Sequence, residues 1–181
     1  MLTDAEKKTL LELARSTIEA RVMGTSKPSF DGNHGALSVD SGAFVTIHNA
    51  DGSLRGCIGT FASPNPLFKT ITDMAVAAAF NDPRFVRLDK TELNGVWIEI
   101  SVLSPLKEIS DVADIEVGRH GLYIIKGQSR GVLLPQVATE CGFDRVEFLR
   151  NTCLKAGLRP DAWKEGATIF TFEAEIFREE R

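Results

Sequence analysis

The stretch Ala43-Phe-Val-Thr-Ile-His48, Asn49-Ala-Asp-Gly52, Ser53-Leu-Arg-Gly-Cys-Ile58 decides the fold class. A period-two pattern stands on each side of a four-residue link whose Asn, Asp and Gly are the residues hairpin turns favour. The stretch therefore reads as an antiparallel pair of strands. Immediately after it, Asn65-Pro66 reads as an N-cap with proline at the first helical position. The helix it opens runs toward Asn81, with Leu67, Ile71, Met74, Ala75 and Ala78 on its inner stripe, and Asp82-Pro83 ends it. Four alanines (Ala75, Ala77, Ala78, Ala79) let that helix lie close to whatever it covers.

On the N-terminal side, Thr3 and Glu6 form a capping box, and Leu10, Leu13, Ala14, Ile18 and Val22 recur at helical spacing until Gly24 supplies a left-handed stop. Thr25 to Gly42 is a long irregular segment rich in Gly, Ser, Pro and Asp. On the C-terminal side, Val96, Ile98, Ile100 and Val102 alternate with Trp97, Glu99, Ser101 and Leu103 as a strand. Gly121 to Lys126 and Gly131 to Leu134 read as a second hairpin around the loop Gly127-Gln-Ser-Arg130. Pro135 opens a short helix that ends at Gly142. Asp144 and Glu147 resemble a second capping box, with Val146, Leu149 and Leu154 facing inward before Gly157. A last strand, Ala167 to Phe177, places Phe170, Phe172, Ala174 and Ile176 on one face. Helices segregate from hairpins and do not alternate with strands in βαβ units. The class is α+β, an antiparallel sheet with flanking helices.

Length and composition bound the rest. With 181 residues and no linker, low-complexity tract or internal repeat, residues 1–181 read as a single domain. A hydrophobic fraction of 43% and a charged fraction of 25% exclude disordered and fibrous classes. Asp and Glu outnumber Lys and Arg by 25 to 21, and no basic stripe interleaves with aromatics, so no nucleic-acid partner is expected. The longest apolar run is Met74 to Phe80, far short of the twenty or so residues of a membrane span, and no membrane association is expected. The opening Met-Leu-Thr-Asp-Ala-Glu-Lys-Lys carries no basic-then-apolar leader, which points to the cytoplasm. Cys57, Cys141 and Cys153 form no CxxC, and Cys141 and Cys153 read as core or semi-exposed packing. His34, His48 and His120 are scattered, and no nucleotide, zincin or hydrolase motif is present. The expectation is no metal and no cofactor.

Leu54-Arg-Gly-Cys-Ile-Gly-Thr60 carries the densest chemistry. On a strand, Arg55 and Cys57 share a face about 6.5–7 Å apart. Gly56 and Gly59 clear the space beside the sulfur for a ligand or another backbone. A guanidinium nearby favours the thiolate, the nucleophilic form. A cysteine in an apolar strand is more often a small buried hydrophobe than a catalyst, and the alternative for the glycines is a bulge and for Arg55 a pairing with an acid. His120, in Gly118-Arg-His-Gly121, is the best candidate base for Cys57, against a loop histidine capping a carbonyl. Asp82 and Arg84 bracket Pro83, as ligand contacts or as a pair fixing a turn. Glu99 faces away from its apolar neighbours and reads as structural or as a general acid/base, with Arg55 or Arg84 its natural partner. Arg130 reads as a solvated loop arginine.

Arg55-Gly-Cys-Ile-Gly59 resembles the signature of the AMMECR domain family. Gly42-Ala-Phe-Val-Thr46, Asn81-Asp-Pro-Arg-Phe85, Ile98 to Ser104, Gly118-Arg-His-Gly-Leu122, Gly131 to Val137 and Cys153-Leu-Lys-Ala-Gly157 resemble further blocks of that family, in order from about residue 3 to residue 178. The resemblance implies a two-part α+β molecule, with a larger part built from both chain ends and a smaller part across a cleft near the signature. It implies an accessory or binding protein that acts with a Memo-like protein and a radical SAM enzyme, its catalytic activity unsettled. The site expected from residues and resemblance together comprises Arg55, Gly56, Gly59, Asp82 and Arg84 as ligand contacts. In the alternative reading Cys57, with His120 or Glu99, is catalytic.

Overall fold

A computed structural model describes residues 2–30 and 35–180. Residues 31–34, part of the expected irregular segment and including His34, lie outside the described residues. The chain divides into two compact units, residues 1–103 with 175–181 and residues 104–174.

In the first unit, α1 (Asp4–Met23) starts where Thr3 accepts the Glu6 N–H at 3.3 Å and the Glu6 carboxylate accepts the Thr3 N–H at 2.8 Å. It stops at Gly24, whose φ of 69° is the left-handed conformation expected there. Within the irregular segment, a 3₁₀ turn at Gly35–Ser38 sinks Leu37 into the core. Strand β1 (Ala43–Asn49) lies between β2 (Leu54–Thr60) and β3 (Val96–Leu103), antiparallel to both. Ala43, Val45, Ile47, Ile98 and Ile100 on one face of this sheet pack with Leu10, Ala14 and Ile18 of α1. Leu67, Ile71, Ala75 and Ala78 of α2 (Leu67–Phe80) complete that core.

Helix α2 differs at its start from the sequence reading. Pro66, not Asn65, is the N-cap, and no side chain caps the helix. The reason is long-range: Asp40 forms a bridge with Pro66, and the Val39 carbonyl accepts the Leu67 N–H at 3.0 Å. A distant backbone oxygen thus serves where a local side chain was expected. The alanines do bring α2 close. A Cβ on Gly56 of β2 would stand 2.3 Å from the Ala78 carbonyl oxygen.

In the second unit, three-residue β4 (Lys107–Ile109) went unforeseen. Strand β5 (His120–Lys126) pairs with β6 (Ser129–Leu133), and β7 (Thr168–Arg178), whose residues from Glu175 on belong to the first unit, lies between β4 and β5. The hairpin turn is two residues, Gly127-Gln128, with Gly127 at φ 59° and Lys126 opposite Ser129. Arg130 therefore belongs to β6, opposite Ile125, and not to a loop. Helix α3 (Pro135–Glu140) has proline in its first turn, and α4 (Arg145–Lys155) starts from the Asp144–Glu147 capping box.

The inward face of α4 departs from expectation. Val146 and Leu154 are 46% and 54% exposed, whereas Phe148, Leu149, Thr152 and Cys153 are buried. The cause lies on β6: a Cβ on Gly131 would stand 2.4 Å from the Thr152 carbonyl oxygen and 2.5 Å from Ala156 N. That glycine fixes which side of the helix meets the sheet. Strand β7 also differs from a single apolar face. Phe172 is buried over Gly121, but Ile176 is 43% exposed, and Ile169 and Thr171 of the opposite face are buried.

Each unit thus seats a helix on a strand through one glycine. Gly56→Ala and Gly131→Ala each drive a methyl into helix backbone and are expected to lower unfolding free energy by about 1–3 kcal/mol. Leu154→Ser is expected to stay within about 0.5 kcal/mol of wild type. Urea titrations of the three variants measure both statements.

Candidate functional site

Strand register assembles the site. Thr46 of β1 stands opposite Cys57 on one side and Glu99 on the other, so the three form a row on the sheet face turned away from α1 and α2. The Thr46 hydroxyl donates to Cys57 Sγ at 3.3 Å, and the thiol is half-buried. In the next row, His48 stacks on Trp97 with ring centroids 4.0 Å apart. Its Nδ1 lies 3.2 Å from the Gly52 carbonyl, an acceptor only, so that nitrogen carries the proton.

β2 presents its backbone to the loop after α2. The Cys57 N–H donates to Asp82 Oδ2 at 2.9 Å, and Arg84 Nη2 donates to the Cys57 carbonyl at 3.2 Å. Asp82 and Arg84 join through two further bonds, Nε to Oδ1 at 3.0 Å and Nη2 to Oδ2 at 2.7 Å. The carboxylate is 2% exposed and the guanidinium 54%. The Arg84 side chain first, with the Cys57 and Arg84 N–H groups, holds the Asp82 carboxyl well below the usual carboxylate range despite its burial. The Arg84 pKa is raised, chiefly by its hydrogen bonds to the Asp82 carboxylate. The pair fixes the turn at Pro83 as well, since the Arg84 N–H donates to Asp82 Oδ1 at 3.1 Å.

Arg55 turns to another partner. Its guanidinium, 8% exposed, grips Glu92 through Nε–Oε1 at 2.7 Å and Nη2–Oε2 at 3.0 Å. That contact raises the Arg55 pKa and lowers that of Glu92. Glu99 has neither arginine as partner. The group beside it is the His48 ring, with Nε2 4.0 Å from Oε1, because Glu99 sits two strands away from β2 across Thr46. Glu99 is about a quarter exposed, so no buried cation is required. The space over the glycines is filled from within, by Ala78 backbone over Gly56 and by the Phe44 ring, 2.3 Å from a Cβ on Gly59.

His120 belongs to the other unit, at the start of β5. Its Nδ1 accepts the Glu116 N–H at 3.1 Å, so it binds an amide and caps no carbonyl. The structure thus brings together Cys57, Asp82 and Arg84 and gives Arg55 to Glu92. Thr46 and Glu92 were missed by the sequence reading. Thr46 is recoverable from hairpin register alone; Glu92 carries no local signal. Among the described residues, no three His, Cys, Asp or Glu side chains are placed to hold a metal ion.

These features define a class: an α+β domain whose outer strand carries a half-buried cysteine anchored at both backbone groups by an Asp–Arg pair. The AMMECR1 family model matches residues 11–177, and the chain belongs to the AMMECR1 family. A protein of Methanosarcina barkeri is 43% identical over 99% of this chain and 93% of its own length. A protein of Caldivirga maquilingensis is 44% identical over 95% and 84% respectively. The crystal structure of protein PH0010 from Pyrococcus horikoshii superposes with a TM-score of 0.86 at 38% identity, covering 99% of this chain and 94% of that one.

Asp82→Asn weakens the grip on Cys57 N–H and Arg84 and is expected to cost about 1–3 kcal/mol at pH 7, the lower part of the range reflecting the exposure of Arg84. Because folding lowers the Asp82 pKa, the wild-type increment is complete above the ordinary carboxyl range near 4 and fades as pH falls below it. Stability curves of wild type and variant, measured by denaturant titration from pH 7 to pH 2.5, are expected to draw closer as pH falls below about 4, without meeting by pH 2.5.

Proposed function

We propose that the domain is a binding or accessory module, and that the outward face of the β1–β2–β3 sheet around Cys57 receives a small ligand or a segment of a partner protein. The observation that carries this reading is Arg84, a half-exposed guanidinium held in one position by a buried carboxylate beside a half-buried thiol. A cation whose geometry is already fixed loses little entropy when it meets a carboxylate or another anionic group. Arg55 supports the site by ordering the loop through Glu92, and Gly56 and Gly59 allow the close packing that shapes it. The resemblance of the sequence blocks supplies the partners for this reading, a Memo-like protein and a radical SAM enzyme in the cytoplasm.

A second reading makes Cys57 a nucleophile with Glu99 or His120 as base. It is favoured by the Thr46 hydroxyl aimed at Sγ, a bond that strengthens when the sulfur is charged.

The two readings separate on the sulfur. Binding of a Memo-like protein, measured by calorimetry, is expected to survive Cys57→Ser within about threefold and to fall at least about tenfold in Thr46→Arg, which crowds the centre of the face. Undiminished binding by Thr46→Arg sinks the first reading. Iodoacetamide labelling at pH 7 that modifies Cys57 well ahead of exposed Cys141 supports the second.

A further inference from the structure

Within the first unit, a concave pocket of about 420 Å³ opens where the end of α1 meets the end of α2 and the loop that follows. Arg21, Arg87 and Lys90 line it, and all three are exposed. Several other cations have a carboxylate partner: Arg15 has Glu179, Arg55 has Glu92, Arg84 has Asp82 and Arg119 has Glu173. Among the described residues, no carboxylate lies within 4.0 Å of Arg21, Arg87 or Lys90. Three cations without a carboxylate partner thus share one hollow, in a chain whose formal charge is −4.

The hollow is neither wholly polar nor loose. Val76 and Phe80 of α2, with Leu88, supply an apolar wall. The loop that carries two of the cations is tied down. Leu88 is 3% exposed and its N–H donates to the Ala79 carbonyl at 2.9 Å. Glu92, clamped by Arg55, accepts the Asp89 N–H at 3.1 Å. Arg55 thereby acts as a positioning residue for this second place. The lining charges, three cations against the single carboxylate of Asp89, leave a net of two positive charges. A phosphomonoester carries between one and a half and two negative charges at neutral pH, and volumes of about 300–1,000 Å³ are usual for small-molecule sites.

The geometry points to a binding site for a small organic phosphate, its phosphoryl group held by Arg21, Arg87 and Lys90 and its organic part laid on Val76, Phe80 and Leu88. This site is separate from the Cys57 face and stands or falls without it. The chemistry is shared by nucleotides and sugar phosphates, and the probes separate the two. Adenosine 5′-monophosphate, ribose 5-phosphate and adenosine are titrated into the full chain by calorimetry at low salt.

Saturable binding of both phosphorylated probes, and none of adenosine, is expected. Tighter binding of the nucleotide assigns the apolar wall to a base, and equal binding assigns the site to a sugar phosphate. The double variant Arg87→Ser/Lys90→Ser, whose residues are exposed and without an ion-pair partner, is expected to keep the wild-type melting curve. It is expected to weaken binding at least about tenfold, as loss of charge-assisted bonds requires. Arg150→Ser, which removes an exposed cation of α4 outside this hollow, is expected to bind within about twofold of wild type. Absence of saturable binding at about 5 mM of either phosphate overturns the proposal, as does unchanged affinity in the double variant or an equal loss in Arg150→Ser.

Discussion

The contact on which most of the first unit depends is the Asp82 carboxylate against the backbone of Cys57. β2 pairs with β1 along one side, and its other backbone groups need partners from elsewhere. At Cys57 those partners are a carboxylate oxygen for the N–H and a guanidinium N–H for the carbonyl, the donor and acceptor pattern of a neighbouring strand built from two side chains. Burial of the carboxylate is tolerable because four N–H groups point at it, from Cys57, the Arg84 backbone and two guanidinium nitrogens. That contact exists only if α2 ends in the right place. The helix terminates at Asn81 and lies close enough to β2 because Gly56 presents no side chain to Ala78. Remove the close approach and Asp82 retreats from the strand it serves.

The same economy governs the charges. Two arginines of the signature region and the turn are each matched to a carboxylate by a two-pronged contact, Arg55 to Glu92 and Arg84 to Asp82. They differ in exposure, 8% against 54%, and therefore in what they can do. Arg55 is spent inside, on the order of the loop around Glu92. Arg84 keeps half its surface toward solvent while its position is set from behind. The distinction is invisible in the linear motif, where Arg55 stands beside Cys57 and Arg84 does not.

What the sequence discloses and what it conceals divide along the range of the interaction. Both capping boxes, the Gly24 stop and the alternation of β3 are local, and each is where the pattern puts it. The α+β class follows from those local elements. The misjudged features, the Arg130 hairpin apart, depend on a distant group. The phase of α4 is set by Gly131 across the sheet, not by the capping box that starts the helix. The start of α2 is set by the Val39 carbonyl. Arg130 joins a strand because a glycine at φ 59° closes the hairpin in two residues. At the site, Asp82 and Arg84 flank Pro83 and are legible as a turn, yet their hold on Cys57 spans some two dozen residues and a helix. The partner of Glu99 fails for the same reason, since charge matching without register cannot choose among carboxylates.

Register also explains why binding is the better reading of the cysteine. A thiolate that works at neutral pH is ordinarily maintained by a base or cation aimed at the sulfur. Here the side chain aimed at Sγ is a hydroxyl, from Thr46. Glu99 occupies the next strand beyond Thr46, about 10 Å from Cys57 by the spacing of two strand intervals. A carboxylate there opposes a second negative charge in the row more than it assists one. His48, on the same face, spends Nδ1 on the Gly52 carbonyl and its ring on Trp97. Arg84 acts on Cys57 through the carbonyl, a contact that fixes the backbone. Within the first unit, the groups around Cys57 are thus arranged to hold a strand and present a surface, and an unusually reactive sulfur would need help that this row of side chains does not supply.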